Sequence, residues 1–125
     1  MPEERLLMRL TDSEWKIVDF LWKNKSMTLM ELTRTLYATT GWSKQTVITL
    51  LNRMVEKGIV TFVQEGRTKW FSAAIDRTEA ELEETTSFLD KVYGGNVGLL
   101  ISNLKCSDKL TKEQLEELRR IIEED

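Results

Sequence analysis

The sequence contains no histidine and only one cysteine, Cys106, among its 125 residues. A structural zinc site takes about four cysteine or histidine ligands, and a disulfide within one chain takes two cysteines, so neither can form here. A lone cysteine is typical of proteins in a reducing compartment. We therefore expect a cytoplasmic protein that carries no metal ion and no other cofactor.

Long apolar segments are absent as well. No stretch approaches the roughly 20 apolar residues of a membrane-spanning helix. The opening residues, MPEERLLMRL, place acidic side chains where a secretory leader would be basic and then apolar. The sequence therefore predicts no leader and no direct membrane binding. Apolar residues still make up 41% of the chain, which is enough to build a packed core.

Signals of catalysis are missing too. The chain has no histidine to act as a general base and no glycine-rich loop that could hold a phosphate. Its carboxylates fall on helix faces that we predict to be exposed, and no side chain resembles an activated nucleophile. We do not expect an enzyme.

Charge is distributed unevenly along the chain. The net charge is −3, but residues 1–74 carry an excess of three positive charges and residues 75–125 an excess of six negative charges. A basic front half and an acidic back half indicate two different tasks. We predict one domain over residues 1–75 and a second over residues 76–125.

Helix starts are marked by a recurring pattern, a threonine followed three residues later by Glu or Gln. Such a pair forms a capping box, in which each side chain bonds the backbone N–H of the other residue. Each occurrence precedes apolar residues at helical spacing. The four pairs are Thr11–Glu14, Thr28–Glu31, Thr78–Glu81 and Thr111–Gln114.

The front half is predicted to form three helices followed by a β-hairpin. The spacing predicts helices over residues 12–24, from Thr28 to about Gly41, and between Ser43 and Gly58. Apolar and β-branched runs at 59–63 and 69–73, separated by a turn at 64–67, predict two strands. This is the order of a winged helix-turn-helix. We therefore expect a mainly α fold with a small β-hairpin wing, followed by a C-terminal helical region.

The third helix carries the strongest functional signal. Its apolar residues, from Val47 to Val55, follow one face. The opposite face presents donors and acceptors suited to base edges and cations suited to phosphates of double-stranded DNA. A merely solvated helix face is the alternative, and Ile48 there could contact a thymine methyl group or belong to the edge of the core. The predicted DNA-binding residues, including two cations of the hairpin, are Ser43, Lys44, Gln45, Thr46, Thr49, Arg53, Arg67 and Lys69.

The back half has more apolar positions than short isolated helices could shield from water. We expect a second copy of the chain to cover them in a homodimer, so that residues 1–75 bind DNA and residues 76–125 dimerise. Packing against the chain's own front half is the alternative. The predicted dimer contacts are Phe88, Leu89, Val92, Tyr93, Leu100, Ile101, Leu104, Leu115, Leu118 and Ile122.

Several short stretches form a specific combination. They are LTDSEW at 10–15, GWS at 41–43 followed by Thr46–Val47, Thr49–Leu50, Arg53 and Lys57–Gly58, FLDKVYGG at 88–95, and LEELR at 115–119. In this order, and over nearly the whole chain, the sequence resembles the penicillinase repressors, the BlaI/MecI/CopY family. The resemblance implies a dimeric winged-helix transcriptional repressor that binds paired half-sites in a promoter.

The resemblance also implies a way to release the DNA. In β-lactam-responsive members a membrane sensor detects the drug, and the repressor is then cut in its dimerisation region. The family's cleavage point, an Asn followed by an aromatic residue, falls by position on Asn103–Leu104, where the Asn is kept and Leu replaces the aromatic. Gln45 and Ile48 stand where basic residues are expected in the penicillinase members, which implies a different operator.

A second class of function is compatible with the same fold but involves no DNA binding. A winged helix can also serve as a protein-interaction module. The two functions differ in one measurable property, because binding to duplex DNA through Lys and Arg weakens steeply with salt, whereas a protein-only module has no such binding.

Overall fold

The structure, a computed structural model, describes residues 9–124. The first eight residues, where we expect no leader, lie outside that range, as does Asp125. The helices within the range are α1 (Asp12–Asn24), α2 (Leu29–Thr40), α3 (Lys44–Lys57), α4 (Arg77–Tyr93), α5 (Val97–Cys106) and α6 (Lys112–Glu123). The strands are β1 (Met27–Thr28), β2 (Val60–Glu65) and β3 (Thr68–Ala73). The predicted fold class, mainly helical with a small antiparallel sheet, is confirmed.

Helix starts largely follow the threonine pattern. The prediction for Thr78 is wrong, because α4 already begins at Arg77. There the Asp76 carboxylate accepts a hydrogen bond from the Glu79 N–H at 3.2 Å, and aspartate caps a helix as well as threonine does. The complete capping boxes are those that begin at Thr11, Thr28 and Thr111.

The sheet has three antiparallel strands in the order β1–β3–β2. Its hairpin turn is tighter than the sequence predicted, because β2 continues to Glu65, which pairs with Thr68. Only Gly66 and Arg67 remain in the turn. Polar residues at the end of an exposed ladder carry no strand signal, and this explains the error. Strand β1 was not predicted either, since two residues show no alternation.

Packing contacts divide the chain into two units, one ending at Glu84 and the other beginning at Thr85. The break falls inside α4. The predicted division between residues 75 and 76 concerns function, and it stays a prediction. In the first unit α1, α2, α3 and the sheet enclose one core. Its buried apolar residues are Leu10, Ile17, Val18, Leu21, Met27, Leu32, Leu36, Val47, Leu51, Met54, Ile59, Val60, Phe71 and Ile75.

The second unit consists of the end of α4 with α5 and α6. The rings of Phe88 and Tyr93 meet edge to face with centroids 6.1 Å apart. Asn96 caps α5 by accepting a hydrogen bond from the Leu99 N–H at 3.0 Å. Within the part of this unit that the structure describes, no side chain reaches the degree of burial seen in the core of the first unit.

Candidate nucleic-acid interface

Helix α3 is capped at both ends, which fixes its length. Ser43 accepts a hydrogen bond from the Thr46 N–H at 3.2 Å. At the other end Gly58 adopts φ +81°, a left-handed conformation that side chains disfavour, and its N–H donates to the carbonyls of Met54 and Val55. These caps explain why the sequence prediction of this helix is correct at both ends.

The two faces of α3 differ in burial. Val47, Leu51 and Met54 are buried, and the other two members of the predicted apolar set, Leu50 and Val55, pack against the same core. Ile48 is half-buried at the margin. The opposite face is exposed, and it carries Lys44, Gln45, Thr46, Thr49, Asn52 and Arg53.

The polar groups of this face differ in how freely they can bind a partner. The Thr49 hydroxyl donates to the Gln45 carbonyl at 3.0 Å, and the hydroxyls of Ser43 and Thr46 lie 3.2 Å apart. These three hydroxyls are therefore partly engaged in the helix itself. On this exposed face, the side chains that make no hydrogen bond or ion pair within residues 9–124 are Lys44, Gln45, Asn52 and Arg53.

A partly buried ion pair fixes the C-terminal end of α3. The Lys57 ammonium lies 2.7 Å from Oε1 of Glu14 and 3.2 Å from the carbonyl oxygen of Arg9. The same Glu14 oxygen accepts the Thr11 N–H at 2.9 Å to close the capping box of α1. Glu14 is only 1% exposed, so these partners take the place of water around its carboxylate. Lys57 thus joins the end of α3 to the start of α1.

The wing holds one of its predicted cations in a defined place. Strand pairing sets Phe62 opposite Phe71 and Gln64 opposite Lys69, so these four side chains share one face of the hairpin. The Lys69 ammonium lies 4.5 Å from the centroid of the Phe62 ring, a cation–π contact that limits its freedom. Arg67, at the turn, is exposed and makes no hydrogen bond or ion pair within the described residues.

A groove of about 460 Å³ lies between the start of α2, the middle of α3 and this face of the wing. It brings Asn52 and Ile48 of α3 together with Arg67 and Lys69 of the wing. The sequence analysis did not assign Gln64, which also lines the groove. Only the strand register could have identified it, because that register places Gln64 beside Lys69. Every predicted DNA-binding residue therefore lies on α3, at its cap or on the wing.

The predicted dimer contacts are incompletely covered within their own chain. Phe88, Val92 and Ile122 are exposed by 47%, 52% and 71%. The other predicted contacts are half-buried, and they are Leu89, Tyr93, Leu100, Ile101, Leu104, Leu115 and Leu118. Further exposed apolar side chains between residues 76 and 124, which the sequence analysis did not assign, are Leu82, Val97, Leu99 and Ile121.

The segment assigned to cleavage by resemblance lies inside α5. Asn103 is exposed, its side chain lies 3.5 Å from the Tyr93 hydroxyl, and its carbonyl accepts hydrogen bonds from the backbone and side chain of Ser107. Leu104 is half-buried, and its carbonyl accepts the Lys109 N–H at 2.9 Å. The bond between Asn103 and Leu104 is therefore held in helical structure.

Two further properties concern all residues from 9 to 124. No three His, Cys, Asp or Glu side chains in this range cluster so that they could hold a metal ion. None of the helices in the range has both the length and the apolar content needed to cross a bilayer.

Comparison with known proteins places this arrangement in a family. The sequence matches the penicillinase repressor family over residues 10–124. The chain belongs to the penicillinase repressor family. It is 30% identical over 116 residues to the penicillinase repressor of Bacillus licheniformis, covering 93% of this chain and 91% of that protein. It is 22% identical over 113 residues to the methicillin resistance regulatory protein MecI of Staphylococcus aureus strain N315, covering 90% and 92%.

A solved structure agrees with the fold of the first unit. In solution, monomeric BlaI of Bacillus licheniformis has been determined in complex with the blaP half-operator. That structure is 29% identical to this family member with a TM-score of 0.52, and the match covers 58% of this chain and 89% of that one. The first unit accordingly has a winged-helix fold.

Proposed function

We propose that this chain is a sequence-specific transcriptional repressor that inserts α3 into the major groove of operator DNA. The observation that carries the proposal is the exposed face of α3, where four polar or cationic side chains lack partners within residues 9–124 and stand on a helix with a buried back and two caps. A rigid helix with such a face suits base readout, because hydrogen bonds to base edges need fixed positions.

We assign different tasks to the members of this surface. Gln45 lies in the first turn of α3 and Thr49 one turn further, where they can meet base edges, with Ile48 between them positioned for a thymine methyl group. Lys44 and Arg53 flank them as phosphate ligands. Ser43 and Thr46 stand at the helix N-terminus, whose free N–H groups favour a phosphate. Arg67 and Lys69 bring the wing to the backbone.

The relatives support DNA as the partner. The B. licheniformis protein BlaI binds a half-operator as a monomer, and the curated relatives carry the names penicillinase repressor and MecI. We infer the same class of activity here and no catalytic role. Gln45 and Ile48 replace expected basic residues, so we expect a different operator. A repressor acts where the genome is, and we place the chain in the bacterial cytoplasm.

We further propose that the second unit forms a homodimer. Its helices bury none of their described side chains fully, and the exposed fractions of Phe88, Val92 and Ile122 are large for apolar side chains. A second copy would remove the remaining exposed area of these side chains from water, and each would contribute roughly half or somewhat more of the 1.5–3 kcal/mol that burial of a fully exposed side chain supplies. Two joined winged helices then bind two half-sites with a combined affinity above that of either.

We propose proteolysis as the release step, in a β-lactam-resistance-type or related stress operon under a membrane sensor–protease system. Cutting between Asn103 and Leu104 would separate the two DNA-binding units and remove the gain from tethering. Because the bond lies in helical structure, cleavage requires local unfolding. We therefore expect slow cleavage of the free dimer and efficient cleavage only by a dedicated protease. Intact protein recovered from host cells throughout derepression would contradict this step.

Selection of bound sequences from random duplex DNA tests the main proposal. We expect an enriched half-site that occurs twice at a fixed spacing, with affinity that falls steeply as salt rises. The slope of log affinity against log salt counts the phosphate contacts. No enrichment and no salt-dependent duplex binding would instead indicate a winged-helix protein-interaction module.

A further inference from the structure

The connection between the wing and α4 is anchored to α1. After β3 only residues 74–76 precede α4, and each of them makes a hydrogen bond. The Trp22 indole N–H donates to the Ile75 carbonyl at 3.1 Å, and the Ile75 side chain is buried in the core. The Ala74 N–H donates to the Ile59 carbonyl at 2.9 Å. The backbone that leads into α4 is therefore fixed on both sides.

The first turn of α4 is held by the same part of α1. The Arg77 guanidinium lies 3.6 Å from an oxygen of Asp19 and 5.6 Å from the ring of Trp22, and it also reaches Glu81 at 3.2 Å. Ala80, one turn later, packs against the core of the first unit. Side chains of α1 thus touch both the backbone before α4 and the residue at which α4 begins.

We infer that Trp22 and Arg77 determine which spacing between half-sites the repressor accepts, because they hold the start of α4 against α1 within the winged-helix unit. This inference rests on the proposed dimer, in which α4 connects the DNA-binding surface to the subunit contact. Trp22 and Arg77 do not lie on the predicted DNA-binding surface. They are positioning residues, and they contribute to specificity without contacting DNA.

The exposure of the Arg77 ion pair favours this role over a role in stability for that residue. The Arg77 side chain is 49% exposed and its Asp19 partner 37% exposed, and ion pairs with such exposure contribute little to folding. We assign these contacts a role in spacing instead, because one added base pair moves a half-site by about 3.4 Å and rotates it by about 34°. We call the contacts of Trp22 and Arg77 at the start of α4 the joint. If the joint is rigid, the dimer binds a shifted half-site more weakly, whereas a flexible joint allows binding at more than one spacing.

Two variants loosen the joint without removing a predicted DNA contact. Trp22→Phe keeps an aromatic ring and loses the hydrogen bond to Ile75, and Arg77→Ala removes the contacts to Asp19 and to the Trp22 ring. The matched control is Lys23→Ala. Lys23 binds the same Asp19 at 3.0 Å within α1, but it has no contact with α4 among those found in the structure.

The experiment measures affinity for duplexes that carry one copy of the selected half-site, or two copies at separations varied in single base pairs. The wild type and Lys23→Ala should prefer one spacing sharply. Both joint variants should bind the single half-site like the wild type, lose about fivefold at the best spacing, and show a flatter dependence on spacing. Thermal unfolding and sedimentation confirm folded dimers, and Asp19→Asn serves as a third variant if Trp22→Phe is unstable.

The outcomes separate the inference from the proposed function. Variants that keep the sharp spacing preference of the wild type would overturn the inference and leave the proposed function intact. A wild type that gains nothing from a second half-site at any spacing would overturn the dimer, and the inference with it. Loss of affinity for the single half-site would show that the two residues support the DNA-binding surface itself rather than the spacing.

Discussion

The two units of the chain differ in how far they bury their apolar side chains. Among the described residues of the first unit, fourteen apolar side chains are buried, all of them at or before Ile75. In the described part of the second unit none is buried to that degree, although α5 and α6 are as regular and as well capped as the helices of the first unit. Regular helices therefore do not by themselves indicate a self-sufficient fold.

The difference identifies what each unit depends on. The first unit packs its helices and sheet around a core of its own, although single apolar side chains such as Met30, Val63 and Leu82 remain exposed. The second unit is a set of helices whose apolar side chains, such as Val97 and Ile121, remain 54% and 59% exposed. Contiguous exposed apolar side chains indicate an interaction surface. The stability of the first unit should accordingly be independent of protein concentration, and that of the second should not.

The largest effect is expected where the first unit buries a charge. Lys57→Met leaves the Glu14 carboxylate buried with one hydrogen bond from the Thr11 N–H and no cation. Breaking a buried pair on one side costs about 3–5 kcal/mol. We expect the free energy of unfolding of the first unit to fall by about this amount in denaturant titrations, and α3 to lose its fixed end.

The control for this prediction removes both charges. Glu14→Gln combined with Lys57→Met should recover much of the loss, because no unpaired charge then remains buried. Lys57→Arg, which retains a cation, should cost less than Lys57→Met. Equal stability of Lys57→Met and the wild type would show that water, rather than Lys57, compensates Glu14.

The second unit should respond to charge at its apolar positions in another way. Leu89→Asp combined with Leu100→Asp places two carboxylates in the proposed subunit contact, where unpaired charges are strongly unfavourable. We expect a monomer in sedimentation experiments, about 100-fold weaker binding to the paired operator, and unchanged binding to a single half-site.

Polar positions on the same two helices offer a matched control. Lys91→Asp with Lys105→Asp introduces the same side chain at exposed positions of α4 and α5, and this variant should remain a dimer. If the Leu89 and Leu100 variant stays dimeric and folded, those leucines pack within one chain, and the comparison between the two units fails.

Smaller effects are expected on the proposed DNA-binding face of α3. Replacing Lys44 or Arg53 by Ala should weaken binding about tenfold at every sequence and lower the salt slope by about one unit. Gln45→Ala should instead alter which base is preferred at one position and leave the slope unchanged. Binding titrations at several salt concentrations distinguish these results. Wild-type binding by all three variants would mean that another surface contacts DNA.

The smallest effect is expected for Cys106, the last residue of α5. It is an exposed free thiol, outside the core of the first unit and outside the predicted contact residues. Cys106→Ser should leave operator affinity within about twofold of the wild type, because an exposed substitution of similar size perturbs little. Titrations with and without mild peroxide check this, and peroxide-induced release that disappears in the Ser variant would contradict it.

Much of the first unit could be predicted because its local signals agree. The end residues Ser43 and Gly58 and the apolar series from Val47 to Val55 all indicate the same helix, and the structure confirms it. Consistency of this kind makes sequence prediction possible. Once the apolar series identifies the buried face of α3, the residues of its exposed face can be predicted as well.

Other features depend on partners distant in sequence, and the sequence did not reveal them. Strand β1 exists because Met27 and Thr28 find Phe71 and Trp70 across the sheet. The role of Gln64 depends on strand register, and the ion pair of Lys57 depends on a glutamate 43 positions away in the chain. The start of α4 was misplaced because two residues, Asp76 and Thr78, could each have capped it, and packing of the preceding segment decides between them.

Strand β1 has a mechanical consequence. Thr28 pairs with Trp70 of β3 and is also the residue whose side chain caps α2. The middle of β3 is therefore connected to α2, the helix that precedes α3, through one residue that both pairs with the wing and caps the helix. A tilt of the wing should disturb that cap. The wing and α2 should therefore move together as one rigid body. If bent or widened DNA displaces the hairpin tip, we expect the N-terminus of α2 to be disturbed before the pairing of β2 with β3 is lost.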